Sequence, residues 1–483
     1  MSVAAVLDRM RTLLGPAGFT DAQEDMAPWL TDWRGRITGR ALALVSPANV
    51  EEVAGLVRLA ASAGIGIVPQ GGNTSMVAGA TPSPDGGAVL LSLRRMRRIR
   101  AVLPDENVLI AEAGAILADV HEAALAQGRI FPLSLGAKGS ATIGGLVSTN
   151  AGGVQVLRYG TMRALTLGVE AVLADGSIHN GLKPLRKDNR GYDLKQLLIG
   201  AEGTLGIVTA ATLVLAPKPV ARVTAWLGLR ALSDSLPLLR RLEALTGGQV
   251  SSFEIVPQTG IDLVTAHLPD MRPPLAGRHD WHVLVDIESS RPDDPLADIV
   301  EAALADAMEA GRVADAVIAM NEAQADALWL IRESLPEAER REGGAAKHDI
   351  AVAVSDMPDF ILNTIPKVEQ AFAGSRVLAF GHLGDGNVHF NVRPPSGADG
   401  PQWLDRNMDA VNAFVHDAVA AMGGTLSAEH GIGVLKRDEF ARLAEPGRLE
   451  WMRAVKSALD PAGIMNPGKL LPPCGGATQP IVK

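Results

Sequence analysis

Gly381, His382, Leu383, Gly384, Asp385, Gly386, Asn387, Val388, His389, Phe390 and Asn391 set two imidazoles on either side of a Gly-Asp-Gly-Asn turn. Glycine, aspartate and asparagine tolerate positive φ, so the chain can reverse sharply between the histidines. After the turn the sequence alternates. Val388, Phe390 and Val392 would face a core, and His389 and Asn391 the opposite side of a strand. Forty residues after His389, Glu429 and His430 add a carboxylate and a third imidazole between Ser427 and Gly433. His382, His389 and Glu429 suit a divalent metal with an open coordination position. The plain alternative is two satisfied histidines beside a glycine turn. Several polar ligand types recurring among glycines in apolar surroundings favour the metal.

Three glycine clusters must position this chemistry. Glycine numbers 51 of 483 residues, above the usual ~7%, and the excess gathers at 71–79, 136–160 and 381–386. The first cluster follows a helical pattern over 47–61, with Ser46-Pro47 as its start signal, and a short strand over 65–68. There Pro69, Gln70, Gly71, Gly72, Asn73 and Thr74 form a Gly-Gly turn after a strand, where bare N–H groups can converge on oxyanions. A tight turn without a ligand has the same sequence. Strands are expected at 89–93, 108–113 and 167–173, and a helix at 116–127. The second cluster, 136–153, is not the G-x-G-x-x-G fingerprint opening a helix, so no nicotinamide cofactor is inferred. Over 197–209, small residues surround the single carboxylate of Glu202, again implying close ligand approach.

Ala216-Pro217-Lys218-Pro219 reads as a stiff boundary. Beyond it, strands at 223–227, 253–255 and 282–287 alternate with helices at 236–245 and 295–310. The pattern implies an α+β cap with an antiparallel sheet. A helix at 327–333 carries Arg332 near its end, and a strand begins near Lys347. An exposed loop at 394–401 precedes a helix at 404–422. Arg332 and Lys347 could fix a carboxylate, bidentately and as a point charge respectively; most such residues are surface cations.

The net charge of −9 argues against a general binder of nucleic acid or anionic membrane. Cys474 is the only cysteine, so no internal disulfide, iron–sulfur cluster or thiolate zinc site can form. The first fifteen residues are amphipathic, with Val3, Val6, Leu7, Met10, Leu13 and Leu14 on one helical face, and lack the apolar run of a secretion signal. No uninterrupted apolar stretch approaches ~18 residues, so no membrane span is expected. A soluble, cytoplasmic protein is expected.

The segments 69–74, 136–153 and 200–207 resemble the flavin domain of the vanillyl-alcohol oxidase superfamily, in its D-lactate and D-2-hydroxyglutarate dehydrogenase branch. The likeness runs from about residue 40 to 472. It implies an α+β chain: an N-terminal helical segment (1–39), a two-subdomain PCMH-type FAD-binding domain (40–219), a substrate and metal cap domain with an antiparallel sheet (220–430), and a helical return to the flavin domain (431–483). It further implies that FAD is held by Pro69, Gln70, Gly71, Gly72, Asn73, Thr74, Gly136, Gly139, Thr142, Gly144, Gly145, Ser148, Asn150, Gly153, Glu202, Gly203, Gly206, Ile207 and Asn466. Relatives with covalent FAD use a His in the first loop; Asn73 stands there, so non-covalent FAD is expected. In that branch an Arg and a Lys fifteen positions apart contact substrate, the separation of Arg332 and Lys347. The branch's threonine contact four residues after the Arg is Pro336 here, which leaves the substrate's far end open.

The resemblance implies oxidation of a D-2-hydroxy acid to a 2-oxo acid. Flavin N5 would receive the C2 hydride. Zn²⁺ or Mn²⁺ on His382, His389 and Glu429 would chelate the substrate, Asn391 would orient it, and His430 would bind it and act as base. An electron-transfer flavoprotein or a quinone is the expected acceptor, and a homodimer remains open. Rival readings on the same fold are an oxygen-using oxidase, an alkyl-ether synthase and a non-catalytic subunit of a glycolate-oxidising complex.

Overall fold

The helix expected over 47–61 forms as Val50–Ala61 in the computed structural model, which describes residues 1–472. Cys474 lies outside the described residues. The start signal is Asn49 rather than Ser46-Pro47: its side chain accepts from the Glu52 amide at 2.8 Å, satisfying a donor that the helix itself cannot. Val53, Leu56, Val57 and Ala60 are buried. The N-terminal helix Val3–Leu14 buries Val6, Met10 and Leu14 but leaves Val3 and Leu13 exposed, a narrower stripe than its six apolar residues suggest.

The chain divides into two compact units. The first comprises Met1–Gly152, Thr161–Lys218 and the return from Glu429 onward; the second comprises Gly153–Gly160 and Pro219–Ala428. In the first unit, β1 (Phe19–Thr20), β2 (Leu44–Val45), β3 (Gly66–Gln70) and β4 (Ala88–Ser92) make a sheet of order β1-β2-β4-β3. β4 runs parallel to β2 and β3, and Val50–Ala61 is the crossover between the latter two. Next come β5 (Ile99–Leu103), β6 (Val108–Glu112), β7 (Arg129–Ile130), β8 (Thr166–Val172), β9 (Ile178–Asn180), β10 (Ile207–Val214) and β11 (Ala216–Pro217). Five form an antiparallel sheet, β5-β6-β10-β8-β9, and β7 pairs with β11. The return adds to β3: Met465 bridges Ile67, whose amide donates to Ile464 O and whose carbonyl accepts from Asn466 N.

The second unit is built on seven strands, β12 (Ala221–Leu229), β13 (Val250–Pro257), β14 (Trp281–Ser289), β15 (Val313–Ile318), β16 (Ala346–Ala351), β17 (Arg376–His382) and β18 (Asn387–Arg393). Their order is β15-β12-β14-β13-β17-β18-β16, with every neighbouring pair antiparallel. One face is apolar. Ala225, Phe253, Ile255, Val285, Ala379, Val388, Phe390 and Val392 lie on it, under the helices Ser235–Thr246, Leu296–Glu309, Met357–Ala371 and Gly400–Ala421. On the opposite face, Trp226, Val256, Leu284, Leu378 and Phe380 pack against the helices Gln258–His267, Glu322–Glu333 and Leu335–Arg341. Toward β17, β18 and β16 that second face turns polar. The last of the four helices over the apolar face starts at Gly400 rather than 404. Asp399 caps it by accepting from Gln402 N at 3.0 Å, and Pro401 fits its first turn, where no amide proton is needed. The mixed, largely antiparallel architecture is the α+β class expected.

Candidate active site

In the first unit the flavin segments converge. A Cβ on Gly72 would collide with the Ser140 carbonyl, and one on Gly71 with the Thr142 hydroxyl. The two glycines are therefore needed where the 69–74 turn packs on the 136–145 segment, while Gly136 and Gly139 face open space. Gln70 is held by its amide nitrogen to Trp29 O and Ala80 O, and Asn73 by its own to Thr31 O. Ser148 Oγ donates to Gly144 O, and Asn150 Oδ1 accepts from Arg163 N. Gln70 Oε1, Thr142 Oγ1 and Asn466 Oδ1 are buried without a hydrogen-bond partner, an arrangement that a polar ligand would satisfy. Asn73, Asn150, Glu202 and Asn466 all have positive φ; asparagine tolerates it, Asn150 as the cap that ends the helix Ile143–Thr149, whereas in Glu202 it is uncommon. These features fit FAD. Gly72→Ala is expected to abolish FAD retention, read as the flavin-to-protein absorbance ratio after purification; a fully loaded variant would show that the turn can shift.

Glu202 has a role that its sequence did not reveal. Its carboxylate accepts from the Ile432 and Gly433 amides, each at 2.7 Å. Burial raises its pKa, and these two bonds oppose the rise. Its amide donates to Ser148 O and its carbonyl accepts from Asn466 Nδ2, which also bonds Gly79 O. Glu202 thus fastens the return to the flavin segments. Pro69 lies in β3, Ile207 opens β10 just after Gly206, and Gly203 packs on Pro69. Thr74 follows the bend at 71–73 and Gly145 lies in the helix Ile143–Thr149, whereas Gly153 belongs to the second unit.

The polar end of the second unit's sheet holds the other candidates. Strand alternation puts His389 and Asn391 on one face and buries Val388, Phe390 and Val392 on the other. The His382 and His389 rings stand edge to face, 5.4 Å apart, and Phe380 lies 5.0 Å from His389. Glu254 on β13 is opposite His382 on β17. Wholly buried, it takes His382 Nδ1 on one oxygen and Arg332 Nε, at 2.7 Å, on the other. Burial alone would raise the Glu254 pKa; the charges and hydrogen bonds of His382 and Arg332 outweigh it and hold it at about 2. The Arg332 guanidinium also stacks over Phe380, 4.9 Å from the ring centre.

Lys347 and Asn391 are cross-strand partners on β16 and β18. Both reach Glu339 Oε2, at 2.6 and 3.0 Å. Pro336 sits in the first turn of the helix that carries Glu339, so its missing donor costs that helix nothing. Asp349, opposite His389, accepts from Asn387 Nδ2. Glu429 and His430 begin the return, in the first unit.

Sequence reasoning missed Glu254 and Glu339. Glu339 had a legible signal: it lies four residues after Leu335, on that helix's apolar face. Glu254 had a weaker one, a lone charge between Phe253 and Ile255 in a strand pattern.

Residues 41–181 match the FAD binding domain family, and residues 218–470 the family of FAD linked oxidases, C-terminal domain. The chain is 36% identical over 449 residues to a bovine protein named D-2-hydroxyglutarate dehydrogenase, mitochondrial, covering 93% of this chain and 80% of the bovine one. It is 32% identical to a yeast D-2-hydroxyglutarate–pyruvate transhydrogenase (Saccharomyces cerevisiae), covering 94% and 91%. Among solved structures, p-cresol methylhydroxylase superposes with a TM-score of 0.75 at 17% identity, over 97% of each chain. That likeness speaks for the fold alone. On the sequence relatives and the two matched domains, the chain belongs to the FAD-linked oxidase family, in its D-2-hydroxyglutarate dehydrogenase branch.

Proposed function

We propose that this FAD-dependent 2-hydroxy-acid dehydrogenase oxidises a D-2-hydroxy acid of the 2-hydroxyglutarate class, using a divalent metal held by His382, His389 and Glu429. The observation that carries the reading is the polar sheet end, where two imidazoles adjoin an arginine and a lysine, each backed by a buried carboxylate. FAD supplies the two-electron acceptor for the hydrogen leaving C2. Zn²⁺ or Mn²⁺ would supply Lewis acidity to the 2-hydroxyl.

The residues fit such an ion. Glu254 on His382 Nδ1 fixes that ring and leaves Nε2 as its ligand atom, the carboxylate–histidine support common at metal sites. Ala428 N donates to Asp349 O, opposite His389, and the next residue in the chain is Glu429. Arg332 and Lys347 would hold the substrate's carboxylates, and Asn391 would orient it. The Arg332 bond to Glu254 uses Nε, and a guanidinium carries four further N–H donors. His430 would take the hydroxyl proton. An electron-transfer flavoprotein or a quinone would reoxidise the enzyme.

The test is anaerobic bleaching of the bound flavin by a panel of D- and L-hydroxy acids, before and after chelation. Bleaching by D-acids that is lost on chelation and restored by Zn²⁺ or Mn²⁺ is expected. Bleaching by L-acids alone, or indifference to the chelator, would reject the reading. Fast turnover in air would favour an oxidase.

A further inference from the structure

One cation at the polar end of the second unit's sheet forms no ion pair among the described residues. Arg393 closes β18 two residues beyond Asn391, on the same face. It is 5% exposed, its Nε has no hydrogen-bond partner, and no ion pair engages it among the described residues. Its neighbours are matched: Arg332 by Glu254, Lys347 by Glu339 and Arg376 by Glu342. Burial, then the charge of Arg376, lowers the Arg393 pKa, against the pull of Glu339, Glu342 and Glu369. Glu369 is half-buried and accepts from the Val377 amide.

Lys347, Glu339 and Arg393 thus set two positive charges against one negative. The open side is the Lys347 ammonium, whose side chain is 26% exposed, while Glu339 is sealed and its Oε1 has no donor. A buried charge without a partner is costly. We propose that the second carboxylate of a dicarboxylic 2-hydroxy acid completes this group, and that Arg393 sets the preference for a diacid over a monoacid. The inference rests on the dehydrogenase reading above. A carboxylate arriving at Lys347 and Asn391 meets Glu339, a like charge, and Arg393 offsets that repulsion. Among these three residues alone a diacid brings the sum to zero and a monoacid leaves one excess positive charge, which Glu369, half-buried and bonded to the Val377 amide, offsets only through its field.

The test compares the wild-type holoenzyme with Arg393→Gln and Arg393→Lys on D-2-hydroxyglutarate and D-lactate. Arg393→Gln should raise KM for the diacid about 10–100-fold with kcat within about threefold, and leave D-lactate within about threefold. Arg393→Lys should retain most of the preference. The melting temperature of Arg393→Gln should not fall, because an unpaired buried charge has been removed. Equal losses on both substrates, or an unchanged diacid KM, would overturn the proposal. Calorimetric binding of glutarate against butyrate separates the two failures. If the wild type oxidises no 2-hydroxy acid, the dehydrogenase reading falls, whereas a glutarate preference lost in Arg393→Gln would still uphold charge recognition.

Discussion

Glu254→Gln is expected to cost the fold about 3–5 kcal/mol, because it leaves Arg332 buried against a neutral side chain. Glu254 has no exposure and serves Arg332 and His382 at once. Its pKa of about 2 shows how strongly that environment favours the anion. The variant should unfold at clearly lower denaturant, and the Zn²⁺ proposed at His382 should be held about 10–100-fold more weakly, since that ring loses the carboxylate that orients it. Denaturation midpoints and metal content after dialysis measure the two effects separately. A midpoint and a zinc content both equal to wild type would show that neither Arg332 nor His382 depends on this carboxylate.

His430→Ala should slow flavin reduction by D-2-hydroxyglutarate about 10²–10⁴-fold, the usual worth of a general base. FAD content should stay at the wild-type level, because no flavin segment includes position 430. Stopped-flow absorbance under anaerobic conditions gives the rate, and the bound-flavin spectrum gives the loading. Wild-type reduction rates in the variant would assign the proton to another group.

The second unit's site was partly legible because strand alternation is a local property. Val388, Phe390 and Val392 against His389 and Asn391 could be read from five consecutive residues. What local order cannot report is which strand lies alongside. Glu254 meets His382 across 128 positions, and that pairing follows from the order of seven strands. Helix ends were misjudged where one side chain decides them, Asn49 at one and Asp399 at another. The glycines of the first turn were noticed as a cradle. Their close approach is to Ser140 and Thr142, a contact between segments that sequence alone does not specify.

The bonds from Ile432 and Gly433 to Glu202 span 230 and 231 positions, and Met465 lies beside Ile67 in the same unit. During synthesis, then, most of the flavin unit emerges from the ribosome long before its last pieces. Until they arrive Glu202 lacks two of its donors and β3 lacks its final neighbour. The second unit is made in full during that wait. Assembly of the cofactor site is thereby deferred to the end of translation, and a chain cut short near residue 430 would carry a nascent flavin unit that could not close.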